Sequence, residues 1–192
     1  IILNKWSGIT TQGGSNINLS IDDIIKSISS EYKLVHRLDK ETSGLLIISK
    51  NLEYAKIFGN LFKSKSIEKI YIAICEGKPK NNESYIDLNI KDNKSNKILK
   101  TQTYFKLLNY KNGLSQIMFK PETGKKHQIR IVSKNLGCPI IGDNKYNFQS
   151  KYKNNILKLN AYGLKFEYKE TNYVFYADIP KDFNEFSNKL KL

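Results

Sequence analysis

Two short segments hold every arginine and every histidine of this 192-residue chain, His36-Arg37-Leu38-Asp39 and His127-Gln128-Ile129-Arg130. All other positive charge among the 32 basic residues is lysine. A chain so rich in Lys, Asn and Ile reads as the product of an A/T-biased coding sequence, in which Arg and His codons are scarce. Where arginine persists, its planar, permanently charged, bidentate guanidinium does what a flexible ammonium cannot. The chemistry open to these segments is that of a carboxylate working with a guanidinium. A buried arginine needs a carboxylate partner, and Asp39 is the natural candidate for Arg130. Asp39 stands after Arg37 and just before Thr42-Ser43-Gly44, in a loop approaching an apolar run, where catalytic groups are favoured. A plainer reading is that Asp39 caps that turn through Thr42 or Ser43.

The second segment starts at Gly124, passes through Lys125 and Lys126, and enters a helix at His127 and Gln128. Basic and amide side chains at a helix start suit phosphate and base contacts, and helix N-termini attract anions. The plainer reading here is a solvated helix end. The wider charge pattern agrees with an anionic partner. The net charge is +14, and residues 91 to 135 carry eleven basic residues against Asp92 and Glu122. Such a balance points to a polyanion, or else to a lysine-rich solvated surface. No apolar run reaches the ~20 residues of a membrane span, and no basic amphipathic helix suggests a membrane surface. Cys75 and Cys138 lie far apart in apolar settings, as buried thiols in a reducing cytoplasm would. With His36 and His127 they show no zinc-ligand spacing, so no metal is expected. Neither cysteine sits in an electropositive turn beside a histidine, which argues against a Cys/His hydrolase.

The elements that must position these residues can be read from periodicity. Ser20 with Asp23 resembles a capping box ahead of Ile21, Ile24, Ile25 and Ile28. Residues 45–48 form a buried strand, and Asn51 caps a helix carrying Ala55, Phe58, Leu61 and Phe62. Residues 70–74 form another strand, ended by Gly77 and Pro79. Residues 81–100 read as loop-rich around a short strand at 85–90. A hairpin over 101–108 and 115–120 turns at Lys111-Asn112-Gly113. Ile129, Val132 and Leu136 share a helix face closed by Gly137 and Pro139. Strands at 161–168 and 173–179 precede a short helix after Pro180. Strands dominate and hairpins outnumber βαβ units, which is an α+β pattern. No linker divides the chain, so residues 1–192 are expected to form a single domain. The start at Ile1 instead of Met reads as the mark of a fragment.

The run His36-Arg37-Leu38-Asp39-Lys40-Glu41-Thr42-Ser43-Gly44-Leu45-Leu46 resembles the H-R-L-D-x-x-T-S-G-L-L signature of RluA-type pseudouridine synthases. Lys69-Ile70-Tyr71 is similar to that family's K-x-Y motif. Gly124 to Arg130 is similar to G-R-T-H-Q-I-R, and Leu136 to Tyr146 to L-G-H-P-I-V-G-D-x-x-Y. The opening Leu3 to Gly8, with Gly13-Gly14-Ser15, resembles N-K-P-S-G and H-G-G-S and leans toward the branch acting on large-subunit ribosomal RNA. Trp6 replaces the usual Pro, Lys125-Lys126 replace Arg-Thr, and Asn160 stands where His is common. The S4-like RNA-binding module that often precedes such domains is expected to be missing from this chain.

The resemblance implies a single catalytic domain, a mainly antiparallel mixed sheet flanked by a few helices around a central RNA-binding cleft. It implies conversion of uridine in RNA to pseudouridine, with ribosomal RNA as substrate and transfer RNA as the alternative. The reaction is an isomerisation and needs no cofactor. Asp39 would be the catalytic carboxylate, acting as nucleophile or by removing the C2′ proton. Arg130 would orient it, and Tyr71 would stack on the uracil and assist at C5; without the family, Tyr71 reads as a core aromatic. His36, Arg37, Lys69, Lys125, Lys126, His127 and Gln128 would contact the RNA, in a monomer of the bacterial cytoplasm or of an organelle. The competing reading is an RNA-binding module without activity, to which basic charge and aromatics would serve equally well.

Overall fold

A computed structural model describes residues 1–14, 17–91, 96–183 and 186. Ser15, Asp92, Lys94 and most of the helix expected after Pro180 lie outside them. The chain forms two compact units, each from two segments: Ile1–Glu68 with Ala161–Asp178, and Lys69–Asn160 with Ile179 onward. Of the three boundaries, those at 68/69 and 160/161 fall inside strands, and the third lies between Asp178 and Ile179.

In the first unit, β1 (Ile2–Lys5) and β2 (Lys33–Leu34) both pair antiparallel with β3 (Ser43–Ser49). All seven residues of β3 are buried, as the continuous apolar run predicts. β3 neighbours β8 (Leu159–Tyr168), which pairs with β9 (Thr171–Tyr176). Helix α1 (Ile21–Ile28) starts with the expected capping box: Ser20 N donates to Asp23 Oδ2 and Asp23 N to Ser20 Oγ. Ile21 and Ile25 are buried, whereas Ile28 is exposed. Helix α2 (Leu52–Lys63) is capped by Asn51, which accepts from Tyr54 N. Its Phe58, Leu61 and Phe62 pack on a core of Leu45, Ile47, Ile67, Leu164 and Phe166.

The second unit is an antiparallel sheet in the order β4 (Glu68–Glu76), β7 (Leu114–Pro121), β6 (Ile98–Lys111), β5 (Glu83–Lys91). The β6–β7 turn is Asn112-Gly113, both at positive φ (54° and 77°), the two-residue geometry that matches strand twist. Helix α3 (Gln128–Asn135) buries Ile129 and Val132 against Ala73, Cys75, Phe105, Ile117 and Phe119. It ends in a Schellman motif, with Cys138 N donating to Ser133 O and Gly137 N to Lys134 O. Within 81–100 the strand expected at 85–90 is present, but it is longer (β5), and β6 already starts at Ile98, so less of the segment is loop than expected. β5 and β6 form a paired ladder from Glu83↔Lys106 to Lys91↔Ile98. Ile86, Leu88 and Ile90 alternate inward there, while Glu83, Asp87 and Lys91 face out. β9 likewise starts and ends earlier than residues 173–179, because Lys169 and Glu170 make the turn at positive φ.

Candidate functional site

Asp39 belongs to the first unit, half-buried in the turn that leads into β3. The turn is closed by backbone, Thr42 N donating to the Asp39 carbonyl at 3.1 Å. Around it, the segment 5–11 bonds to the backbone of Leu38, Lys40 and Glu41. The Thr11 hydroxyl donates to Leu38 O (2.7 Å) and accepts from Leu38 N (3.1 Å). Gly8 N donates to Lys40 O, and Ser7 Oγ to Glu41 O. Lys5, only 1% exposed, donates from Nζ to Lys40 O, Ile9 O and Trp6 O. Burial pushes the Lys5 ammonium down to about 8, against the opposing pull of the Glu41 and Asp39 carboxylates. Lys5, Ser7, Gly8 and Thr11 were not singled out as functional from the sequence; three of them lie in the opening block quoted for the family.

Gly44 sits where β3 begins and has φ +112°. A Cβ there would meet Ala161 O at 2.3 Å and Ala161 N at 2.6 Å, so only glycine fits against β8. Arg37 is exposed beside Asp39. His36, expected to contact RNA, is half-buried. Its Nε2 accepts the Ile47 amide hydrogen at 2.8 Å, and its ring packs on Phe62 at 4.3 Å. β2 is only two residues long, and the imidazole supplies an acceptor on β3 next to that short pairing. An imidazole that accepts at Nε2 carries its hydrogen on Nδ1 and is neutral.

The second unit carries Lys69, Tyr71, Lys125, Lys126, His127, Gln128 and Arg130. Tyr71 lies opposite Phe119 on β4, half-buried against the core of that unit. Lys69 is half-buried and Lys126 exposed. Gln128, expected to contact RNA, is 4% exposed, and its amide bonds within the protein. Its Oε1 accepts from Thr123 Oγ1 and Lys125 N, and its Nε2 donates to Thr103 Oγ1 and Gln102 O. Those bonds fold the Thr123–Lys125 loop back onto β6 and set the direction from which Lys125, Lys126 and His127 enter α3.

Arg130 is buried, as its place between Ile129 and Ile131 predicts. Its Nε and Nη2 fork onto Asp143 at 2.8 and 2.6 Å, a buried bidentate pair. Asp143 Oδ1 also accepts from Lys145 N and Tyr146 N. The Tyr146 ring lies 5.2 Å from the guanidinium carbon, and its hydroxyl is 3.1 Å from His127 Nδ1. Asp143 and Tyr146 stand in the quoted Leu136–Tyr146 block, but nothing in their spacing alone identified them as partners of Arg130.

Among the described residues, no group of three His, Cys, Asp or Glu side chains could hold a metal ion, and no helix is long and apolar enough to cross a membrane. Cys75 and Cys138 are free and buried, and burial raises both thiols, Cys138 to about 11.

Residues 1–135 match the model of the RNA pseudouridylate synthase family. Over 160 residues, 76% of this chain, the protein is 46% identical to the ribosomal large subunit pseudouridine synthase C of Rickettsia bellii, covering 53% of that relative. The chain thus spans about half the length of the Rickettsia relatives it matches. The Buchnera aphidicola protein of the same name is 32% identical over 99% of this chain and 68% of its own length. An uncharacterized RNA pseudouridine synthase of Haemophilus influenzae is 35% identical over 88% of the chain and 78% of that protein. The fold is like that of human RNA pseudouridylate synthase domain containing 4, with a TM-score of 0.85 and 24% identity, covering 98% of this chain and 88% of that one. With the family's model matched over most of its length and the four sequence blocks in order, the chain belongs to the RNA pseudouridylate synthase family.

Proposed function

We propose that the protein isomerises uridine to pseudouridine in RNA, with large-subunit ribosomal RNA as substrate and Asp39 as the essential carboxylate. The observation that carries this reading is the clamp on Asp39. A solvated surface turn needs no buried ammonium, no hydroxyl and no two further hydrogen bonds to fix the backbone of residues 38–41. A reacting carboxylate does, because small misplacements of a catalytic group are costly in rate. The names of the Rickettsia and Buchnera relatives support the ribosomal target.

The reaction breaks N1–C1′, turns the base and forms C5–C1′, while the C5 hydrogen leaves as a proton and N1 gains one. The target uridine must leave the helix stack first, at a cost of a few kcal/mol. Exposed Arg37, next to Asp39, is assigned to the flipped nucleotide. Lys125, Lys126 and His127 are assigned to the backbone, and Lys69 is assigned as a further basic contact. Asp39 adds to the sugar or base, or removes the C2′ proton; both roles require the ionised carboxylate. Arg130 is assigned to that carboxylate, and Tyr71 to the uracil face and the C5 proton. The protein is further proposed to act as a monomer, without a cofactor, in a reducing cytoplasm, with which two buried free thiols are in keeping.

Release of tritium from RNA labelled at uridine C5 measures the reaction directly. Asp39→Asn is expected to abolish release while binding of the same RNA survives. Turnover near wild type would remove Asp39 from the mechanism, and no release by the wild-type protein on ribosomal or transfer RNA would favour a binding module. Mapping pseudouridines in RNA from cells lacking the protein identifies the target.

A further inference from the structure

Arg130, Asp143, Tyr146 and His127 form one connected group within the second unit, and each link has a different chemistry. Asp143 is 1% exposed and holds the side edge of the guanidinium by two hydrogen bonds. The carboxylate is itself fixed by the amides of Lys145 and Tyr146. Gly142, at φ +76°, lets the chain approach closely just before it, since a Cβ there would stand 2.5 Å from Ile156 O. Tyr146 then sets its ring 5.2 Å from the guanidinium and its hydroxyl 3.1 Å from His127 Nδ1, the ring centroids being 5.7 Å apart and nearly perpendicular. His127 itself is at φ 56°, a left-handed conformation uncommon among residues other than glycine. It follows Lys125 and Lys126 in the chain.

We propose that Asp143 and Tyr146 are positioning residues that set Arg130, and that Tyr146 links Arg130 to the RNA-contacting loop through His127. This rests on the reading that Arg130 serves the reaction and that the Lys125–His127 loop holds RNA. The two ends of Tyr146 divide the labour. Its ring braces the guanidinium, a contact that charge and polarisability favour. Its hydroxyl, donating to Nδ1, selects the imidazole tautomer with hydrogen on Nε2, the donor a phosphate oxygen accepts.

The test is a split between kcat and KM, measured by tritium release on a transcript of large-subunit ribosomal RNA with Asp39→Asn run in parallel. Tyr146→Phe keeps the ring and loses the hydroxyl; it is expected to raise KM about three- to tenfold, the worth of one hydrogen bond, with most of kcat kept. Tyr146→Leu removes both and is expected to lower kcat as well. Asp143→Asn keeps the shape but not the charge and is expected to lower kcat by more than its urea-measured loss of folded protein explains, with Asp143→Glu recovering part of it. Tyr146→Phe with unchanged KM, Tyr146→Leu with full kcat, or an Asp143→Asn loss matching only the unfolded fraction overturns the assignment. If Asp39→Asn is inactive while the Tyr146 variants behave as wild type, the inference fails and the function stands. If Asp39→Asn turns over normally, the function itself fails.

Discussion

Lys5 has almost no contact with solvent, and three backbone carbonyls take the place of water around its ammonium. That makes it a titratable pin for the loop carrying Asp39, and its depressed affinity for a proton has a measurable consequence. Below pH 8 the ammonium is charged whether the protein is folded or not. Between about 8 and the usual 10.5 the folded protein has released this proton while the unfolded chain still holds it. The unfolded state then binds more protons, so this group's contribution to stability rises with pH across that window. Urea unfolding of the wild type and Lys5→Met at pH 7 and pH 10 is expected to show the difference moving in favour of the wild type at the higher pH. A difference that stays flat would mean that the three carbonyls fully replace hydration. The residues around Lys5 also show where single-residue reading stops. Scarcity pointed to the segments holding His36, Arg37, Asp39, His127 and Arg130. Lysine, however, is so abundant in this chain that one buried lysine among dozens carries no signal. His36 and Gln128 show a related limit: both are chemically able to meet RNA, and only the structure shows the hydrogen bonds that each makes within the protein.

β3 is the element that the Asp39 turn leads into, and its fit to β8 is intolerant of change. Gly44→Ala would combine a strained positive φ with a Cβ pressed against the Ala161 backbone. The expected cost is about 3 kcal/mol or more, above the ~1 kcal/mol typical of point substitutions. The turn that carries Asp39 directly precedes Gly44, so activity should fall with stability, both read from urea titration and tritium release. A loss under ~1 kcal/mol would show that β8 moves aside easily. At this scale much was legible. The capping box at Ser20, the Asn51 cap, the Asn112-Gly113 hairpin and the Gly137 helix end are local chemistry, and each forms as its residues require. The strand at 85–90 was legible, but the outer ends of β5 and the start of β6 at Ile98 were not, because Glu83, Lys91, Lys97 and Lys100 give those stretches the composition of a loop. The partnership of Arg130 with Asp143 was missed because it joins a helix to a turn thirteen residues later, and no local rule prescribes it.

For the whole molecule, a net charge of +14 concentrated around residues 91–135 should make RNA affinity strongly salt-dependent. Plotting log affinity against log salt is expected to give a slope steeper than about −3, or roughly one unit per phosphate neutralised. A flat plot would return the lysines to the role of solvated surface. The interleaving of the two units has a further consequence, for the order of events during synthesis. Ile1–Glu68 lacks the strand that carries Leu164 and Phe166 until residues 161–178 have been made, and those two side chains lie in its core. The second unit in turn awaits Phe183 and Phe186, which pack with Ile74, Leu114 and Ile141. A ribosome adding about 5–20 residues per second leaves the first segment waiting roughly five to twenty seconds for its partner strand. Through that interval β3, with its apolar run at residues 45–48, emerges without the β8 neighbour that later covers it, and it is there that a chaperone would find its binding site.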